Sequence, residues 1–259
     1  MLTDPDTLRI AVLCSRRAPG LGHLLAGESR GGYLVAGLVC SEEDFAGRPM
    51  AEEAGVPFVS RPLRAFHRLL GAPLADREAR AFYDMGTAQA LREFEPDLVL
   101  LLGWTYVLTH PMLFAFPHRI LNVHHSDLGA ADPARRYPGL HAVRDAILAG
   151  EPETRASLHM VDDEVDHGPV VLRSPAFPVR LGEEGPTREA IRWHENLVLD
   201  RAFGPLAVAG MTLAATGRLA LGPDGAEIDG HPAPFEMDDS GALAPLAVEA
   251  RAPLFAEAS

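Results

Sequence analysis

The sequence predicts an α/β protein with a mostly parallel, twisted sheet flanked by helices. Short apolar runs recur at 8–14, 33–40 and 97–102. They are too short for helices and too uniformly apolar for strands with one wet face. Longer segments with helical periodicity lie between them. Strands alternating with helices mean βαβ units, and ligands of such sheets bind beyond the carboxyl ends of the strands.

The elements follow in order. After the strand at 8–14, a turn with Arg16, Arg17, Gly20 and Gly22 leads into a short helix. The strand at 33–40 precedes a helical segment that stops at Gly55. Residues 56–60 read as an edge strand, because Pro57 cannot donate to a ladder. Residues 76–95 carry Ala79, Phe82, Tyr83, Ala90 and Leu91 near the 3.6-residue period, and Pro96 ends that helix. The run 97–102 is the most apolar strand and the expected sheet centre. A loop at 103–108, a short helix at 109–116 and a strand at 119–125 come next. Beyond a long loop at 126–137, a helix is expected at 138–150, with Pro138 in its first turn and Gly150 after it. Strands at 157–161 and 170–173 flank an acidic loop. A long helix spans 187–216, capped by Thr187, and Gly204-Pro205 should kink or divide it. A hairpin turns at Pro223-Asp224-Gly225. The division expected is a catalytic domain over 1–237 and an acidic C-terminal tail or arm over 238–259.

The formal charge of −13 excludes general nucleic-acid binding, which needs clustered Lys and Arg. No apolar run approaches the roughly 20 residues of a membrane span, and the N-terminus does not read as a signal peptide. Cys14 and Cys40 stand at strand ends and read as buried free thiols in a reducing cytoplasm. No zinc, His-Glu-x-x-His or calcium-loop spacing is present, so no metal is expected. The turn after the first strand is neither a Gly-x-Gly-x-x-Gly nor a Walker sequence. Its Arg16 and Arg17 either meet an anionic group or face water.

The chemistry concentrates at Asn122-Val123-His124-His125-Ser126. On an extended chain Asn122 and His124 share a face, and His125 points the other way. An amide beside an imidazole can polarise a carbonyl oxygen and move a proton. Asp166, where the chain must turn at Gly168-Pro169, is placed to orient His124, whereas Asp162 to Glu164 read as a solvated acidic run.

These pieces resemble the folate-dependent formyltransferase family, which includes glycinamide ribonucleotide formyltransferase and formyltetrahydrofolate hydrolase. Four motifs carry the resemblance in order: Asn122 to Ser126, Tyr137-Pro138-Gly139-Leu140-His141, Ser157-Leu158-His159-Met160-Val161, and Val165-Asp166-His167-Gly168-Pro169-Val170. The resemblance covers residues 8–234 and implies a Rossmann-like formyltransferase fold. It implies Asn122, His124 and Asp166 as catalytic residues and 10-formyltetrahydrofolate as formyl donor. It places the donor between Trp104, Thr105, Tyr106, Val107 and Leu108 on one side and Val161, Asp162 and Val165 on the other. Arg16, Arg17, His125 and Tyr137 fall on the acceptor side. The expected function is transfer of a formyl group to a small-molecule amine in cytoplasmic one-carbon metabolism, with hydrolysis to water as the alternative. No nucleic acid or membrane partner is expected, and assembly as a homo-oligomer is left open.

The sequence departs from the family in two places. The glycine-rich phosphate loop is replaced by Ser15-Arg16-Arg17-Ala18-Pro19-Gly20. His125 stands where the transferases usually place Pro, which is more similar to the hydrolases, as are the first loop and the helix segment at 195–202. The hydrolases typically carry a regulatory domain ahead of the catalytic one, whereas few residues precede the first strand here. The segment 127–136 is longer than usual and borders the expected acceptor pocket. It reads either as a remodelled specificity loop or as a neutral insertion.

Overall fold

The computed structural model describes residues 7–130, 132, 134, 136–183 and 185–245. The chain runs β1 (Leu8–Cys14), α1 (Leu21–Gly31), β2 (Tyr33–Cys40), α2 (Arg48–Glu53), β3 (Phe58–Ser60), α3 (Leu63–Leu69), α4 (Arg77–Arg92), β4 (Leu98–Leu102), α5 (His110–Ala115) and β5 (Ile120–His124). It continues with α6 (Ala142–Leu148), β6 (Glu153–Thr154), β7 (Ser157–Met160), β8 (Val170–Arg173), β9 (Phe177–Pro178) and α7 (Arg188–Ala215). It closes with β10 (Leu219–Gly222), β11 (Gly225–Ile228), β12 (His231–Pro232), β13 (Phe235–Met237) and β14 (Leu243–Pro245).

Nine strands form the main sheet in the order β14-β13-β8-β7-β5-β4-β1-β2-β3. The five from β3 to β5 are mutually parallel, whereas β7 is antiparallel to both of its neighbours. β3 is the edge strand its proline announced, and β5 takes the middle place with β4 beside it. The sheet is buried on both faces, which is why β1 reads as a continuous apolar run. Ile10, Val12 and Cys14 pack on one face with α1 and α7. Ala11 and Leu13 pack on the other with α4 and α5.

The chain leaves β1 for β2 on one side and later returns to β4 on the other. This reversal is where an α/β sheet opens a crevice at its carboxyl edge. Ser15 closes the bottom of it. Its Oγ accepts from the Ser41 hydroxyl at 2.9 Å and from the Thr105 N–H at 3.2 Å. Three loops, after β1, β2 and β4, therefore meet on one buried hydroxyl.

Several elements differ from expectation. Helix α3 has no counterpart in the sequence reading. Helix α6 begins at Ala142 rather than Pro138, because 137–141 form a turn against the cleft. Phe82 is 57% exposed, on the outer side of α4. α7 runs unbroken through Pro205. Gly204 answers to packing instead: a Cβ there would sit 2.5 Å from the His23 ring of α1. One 18-residue window of α7 has a mean hydropathy of 1.4, long and apolar enough to cross a membrane, which corrects the expectation above. Half of that window is buried in the protein. Phe203, Leu206, Ala207 and Met211 belong to the core, and the stretch of α7 that packs there is apolar for that reason. In the C-terminal stretch, β14 pairs antiparallel with β13 and extends the sheet. Residues 246–259 of the expected tail lie outside the described residues.

Candidate active site

Register sets the first part of the site. β5 and β7 pair so that Asn122 lies opposite His159. His159 Nδ1 is 2.8 Å from the Met160 carbonyl, and its Nε2 is 3.0 Å from Asn122 Nδ2. A carbonyl only accepts, so Nδ1 carries the ring proton. Nε2 is then the acceptor, and Asn122 must present its NH2 group. Burial lowers the His159 pKa and keeps this tautomer neutral. The hydrogen-bond chain thereby fixes the amide's orientation and leaves one Nδ2–H without a partner among the described residues.

His124 is treated the same way. Its Nε2 donates to the Tyr137 carbonyl at 3.1 Å. Its Nδ1 faces Asp166 Oδ2 at 3.5 Å. Burial lowers the His124 pKa and outweighs the opposing pull of Asp166. Burial thus favours the neutral ring, with Nδ1 on the side of the carboxylate. A proton arriving at Nδ1 lands between base and counter-ion.

Asp166 reaches this point through a tight return. It has φ +55°, a left-handed conformation that costs an ordinary residue about 1 kcal/mol or more. The Gly139 N–H donates to Asp166 Oδ2 at 2.7 Å. Two residues on, a Cβ at Gly168 would lie 1.9 Å from the Met160 carbonyl oxygen. Only glycine lets the loop close there.

Around these groups is a cleft of about 830 Å³. Asn122, His124 and Asp166 line it together with Trp104 to Leu108, Val161, Asp162 and Val165. Arg16, Arg17 and His125 line it too. His125 corrects an expectation. β5 ends at His124, so its neighbour does not alternate away, and the two rings lie 4.9 Å apart. Burial pushes the His125 pKa down to about 4. Tyr137 is the second correction. Its hydroxyl lies 3.1 Å from Glu151, beside a separate 30 Å³ cavity, and only its carbonyl faces His124. Among the described residues, no group of three His, Cys, Asp or Glu is placed to hold a metal ion.

Ser15, Arg64, His159 and Glu195 also line the cleft, though the sequence assigned none of them a role in the site. His159 had a signal, a polar residue at the centre of a strand whose neighbours are apolar. Arg64 had none, because helix α3 was itself not foreseen.

The formyl transferase family model matches residues 8–185. The chain belongs to the formyl transferase family. It is an enzyme of that family, and its fold is the one the family resemblance implied. The Escherichia coli phosphoribosylglycinamide formyltransferase is 30% identical over 77% of this chain and 82% of its own length. The Shigella flexneri formyltetrahydrofolate deformylase is also 30% identical, over 75% of this chain and 63% of its own. Among solved structures, glycinamide ribonucleotide transformylase 1 from Symbiobacterium toebii superposes with a TM-score of 0.69 at 31% identity. That match covers 88% of this chain and 97% of the other.

Proposed function

We propose that this formyl transferase moves a formyl group from 10-formyltetrahydrofolate to a small-molecule amine. The observation that carries the proposal is an Asn122 N–H with no partner among the described residues, beside His124, whose Nδ1 faces Asp166, on the wall of one cleft.

The cleft fits a flat donor. Trp104, Leu108 and Val161 supply an apolar wall. The Trp104 Nε1–H is buried there without a hydrogen-bond partner among the described residues. Such an orphan donor costs free energy unless a ligand satisfies it. When bound, the donor supplies an electrophilic formyl carbon. Asn122 then holds the formyl oxygen by an amide N–H that His159 has already aimed. His124 takes the proton that the attacking amine must lose, and Asp166 stabilises the resulting imidazolium. The tetrahedral adduct then collapses by breaking the bond between the formyl carbon and the donor nitrogen, which receives that proton and leaves as tetrahydrofolate. No covalent enzyme intermediate is required.

The acceptor side favours an amine that carries an anionic group. The backbone cradle at the start of α1 is closed: the Leu21 N–H donates to the Ala18 carbonyl, and Pro19 has no N–H. Gly20 itself presses on α7, since a Cβ there would lie 2.6 Å from the Gly204 nitrogen. Anion recognition therefore falls to side chains. Arg16, Arg17 and Arg64 all line the cleft, and Arg17 is braced by Asn196 at 3.0 Å. Glu42, Asp44 and Glu195 line it too.

The deciding experiment incubates the enzyme with 10-formyltetrahydrofolate, with and without glycinamide ribonucleotide or unphosphorylated amines. Tetrahydrofolate release and formylated product are followed together. Amine-dependent release with product supports transfer. Equal release without amine means that the formyl group goes to water, and no release in any mixture rejects the proposal.

A further inference from the structure

The wall formed by Trp104 to Leu108 is held from behind by a charged pair on α4. Asp84 is wholly buried. Its Oδ2 accepts from the Thr109 N–H and the Thr109 hydroxyl, both at 2.7 Å. Its Oδ1 lies 3.5 Å from Arg80 Nε, one helical turn away. Arg80 is 7% exposed and donates to the Val107 carbonyl at 2.6 Å. Its guanidinium lies 5.0 Å from the Tyr106 ring centroid and 6.0 Å from that of Trp104.

Joining β4 to α5 does not need this arrangement. A buried ion pair is often no better for stability than apolar side chains of the same volume. Beside the pair, the buried face of α4 carries Ala79, Ala88, Ala90 and Leu91, with Tyr83 and Thr87. What the pair adds is definition. It fixes the backbone at 107 and 109 and sets the Arg80 guanidinium over the rings of Tyr106 and Trp104, while Ser15 fixes the Thr105 N–H at the other end of the loop. Both ends of one cleft wall are thus tied by polar bonds with fixed geometry.

We infer that Arg80 and Asp84 are positioning residues for the formyl donor, holding the backbone edge of residues 105–108 where a flat heteroaromatic ring is read. They touch the loop and not the ligand. The inference rests on the folate-donor reading of the cleft, and the test separates the two.

The enzyme is prepared with Trp193→Phe, which leaves Trp104 as the sole indole. Asp84→Asn, Arg80→Lys and Thr109→Val are made in that background, with Ile228→Ala as a destabilised control remote from the cleft. Acrylamide quenching of Trp104 should rise in the three clamp variants and stay unchanged in the control. The donor KM should rise about tenfold in Asp84→Asn and less in Thr109→Val, as expected for losing a charged and a neutral hydrogen bond. Both kcat and the acceptor KM should stay within about threefold of the parent, because Asn122, His124 and Asp166 are not disturbed. An unchanged donor KM with unchanged quenching overturns the inference. So does a fall of kcat and both affinities in step with Tm across the control and clamp variants, which is the mark of a structural role alone. If the parent turns over no 10-formyltetrahydrofolate, to amine or to water, the donor reading fails, and Trp104 quenching still judges whether the pair holds the loop.

Discussion

In the proposed reaction one amide, one imidazole and one carboxylate divide the work, and each is constrained by a partner that does no chemistry. His159 aims Asn122, the Tyr137 carbonyl fixes the His124 tautomer, and the Gly139 N–H holds Asp166. His124→Ala should lower kcat by roughly a hundredfold to ten-thousandfold, the usual worth of a general base, while donor binding by equilibrium dialysis is retained; undiminished turnover would remove His124 from the mechanism. Asp166→Asn should lower kcat and move the limb of the pH–rate profile set by His124 to lower pH. The sign follows because the carboxylate raises the His124 pKa against burial, so its loss lets that pKa fall further. An unshifted limb argues against the coupling. The pairing of Asn122 with His124 was legible from their spacing, because a strand repeats every two residues. The role of Tyr137 was not. It acts through a backbone carbonyl, which every residue owns and no motif marks.

At the scale of elements, the cleft depends on a few close approaches. Gly168→Ala drives a Cβ into the Met160 carbonyl. It should cost about 1–3 kcal/mol in urea unfolding, as overpacking does, and should lower kcat by displacing Asp166. A variant with wild-type stability would mean that the return at Gly168 has more room than the backbone allows it. The first loop gives a separate prediction. Arg16→Ala combined with Arg17→Ala should raise KM for an amine bearing an anion by roughly tenfold or more, the usual worth of a charge-assisted hydrogen bond, and leave the donor KM alone. Equal weakening of both substrates would assign these arginines to the fold. Gly204 teaches the same lesson about elements. In the sequence it predicted a kink of α7. In the structure it marks where α1 passes close to an unbroken helix.

For the molecule as a whole, buried neutral imidazoles tie stability to pH. Burial lowers the pKa values of His124, His159 and His194, and takes His125 from 6.5 to about 4. Below pH 6.5 the unfolded chain binds protons that the folded protein refuses, so stability falls with pH. For His125 the loss runs from pH 6.5 down to about 4. Tm measured across that window should decline, and His125→Gln should flatten part of the slope; a Tm independent of pH there contradicts the burial of these rings. The sequence by itself determined the parallel sheet, because both faces of β1, β2 and β4 are covered and their runs had to be apolar throughout. It also determined that Asn122 and His124 share an edge, because the period of a strand is local. Only the tertiary structure decided which residue aims the Asn122 amide, which ring nitrogen of His124 faces Asp166 and which loop a buried Asp84 holds. Those answers depend on register and on contacts between residues far apart in the chain, and such contacts leave no periodic trace in the sequence.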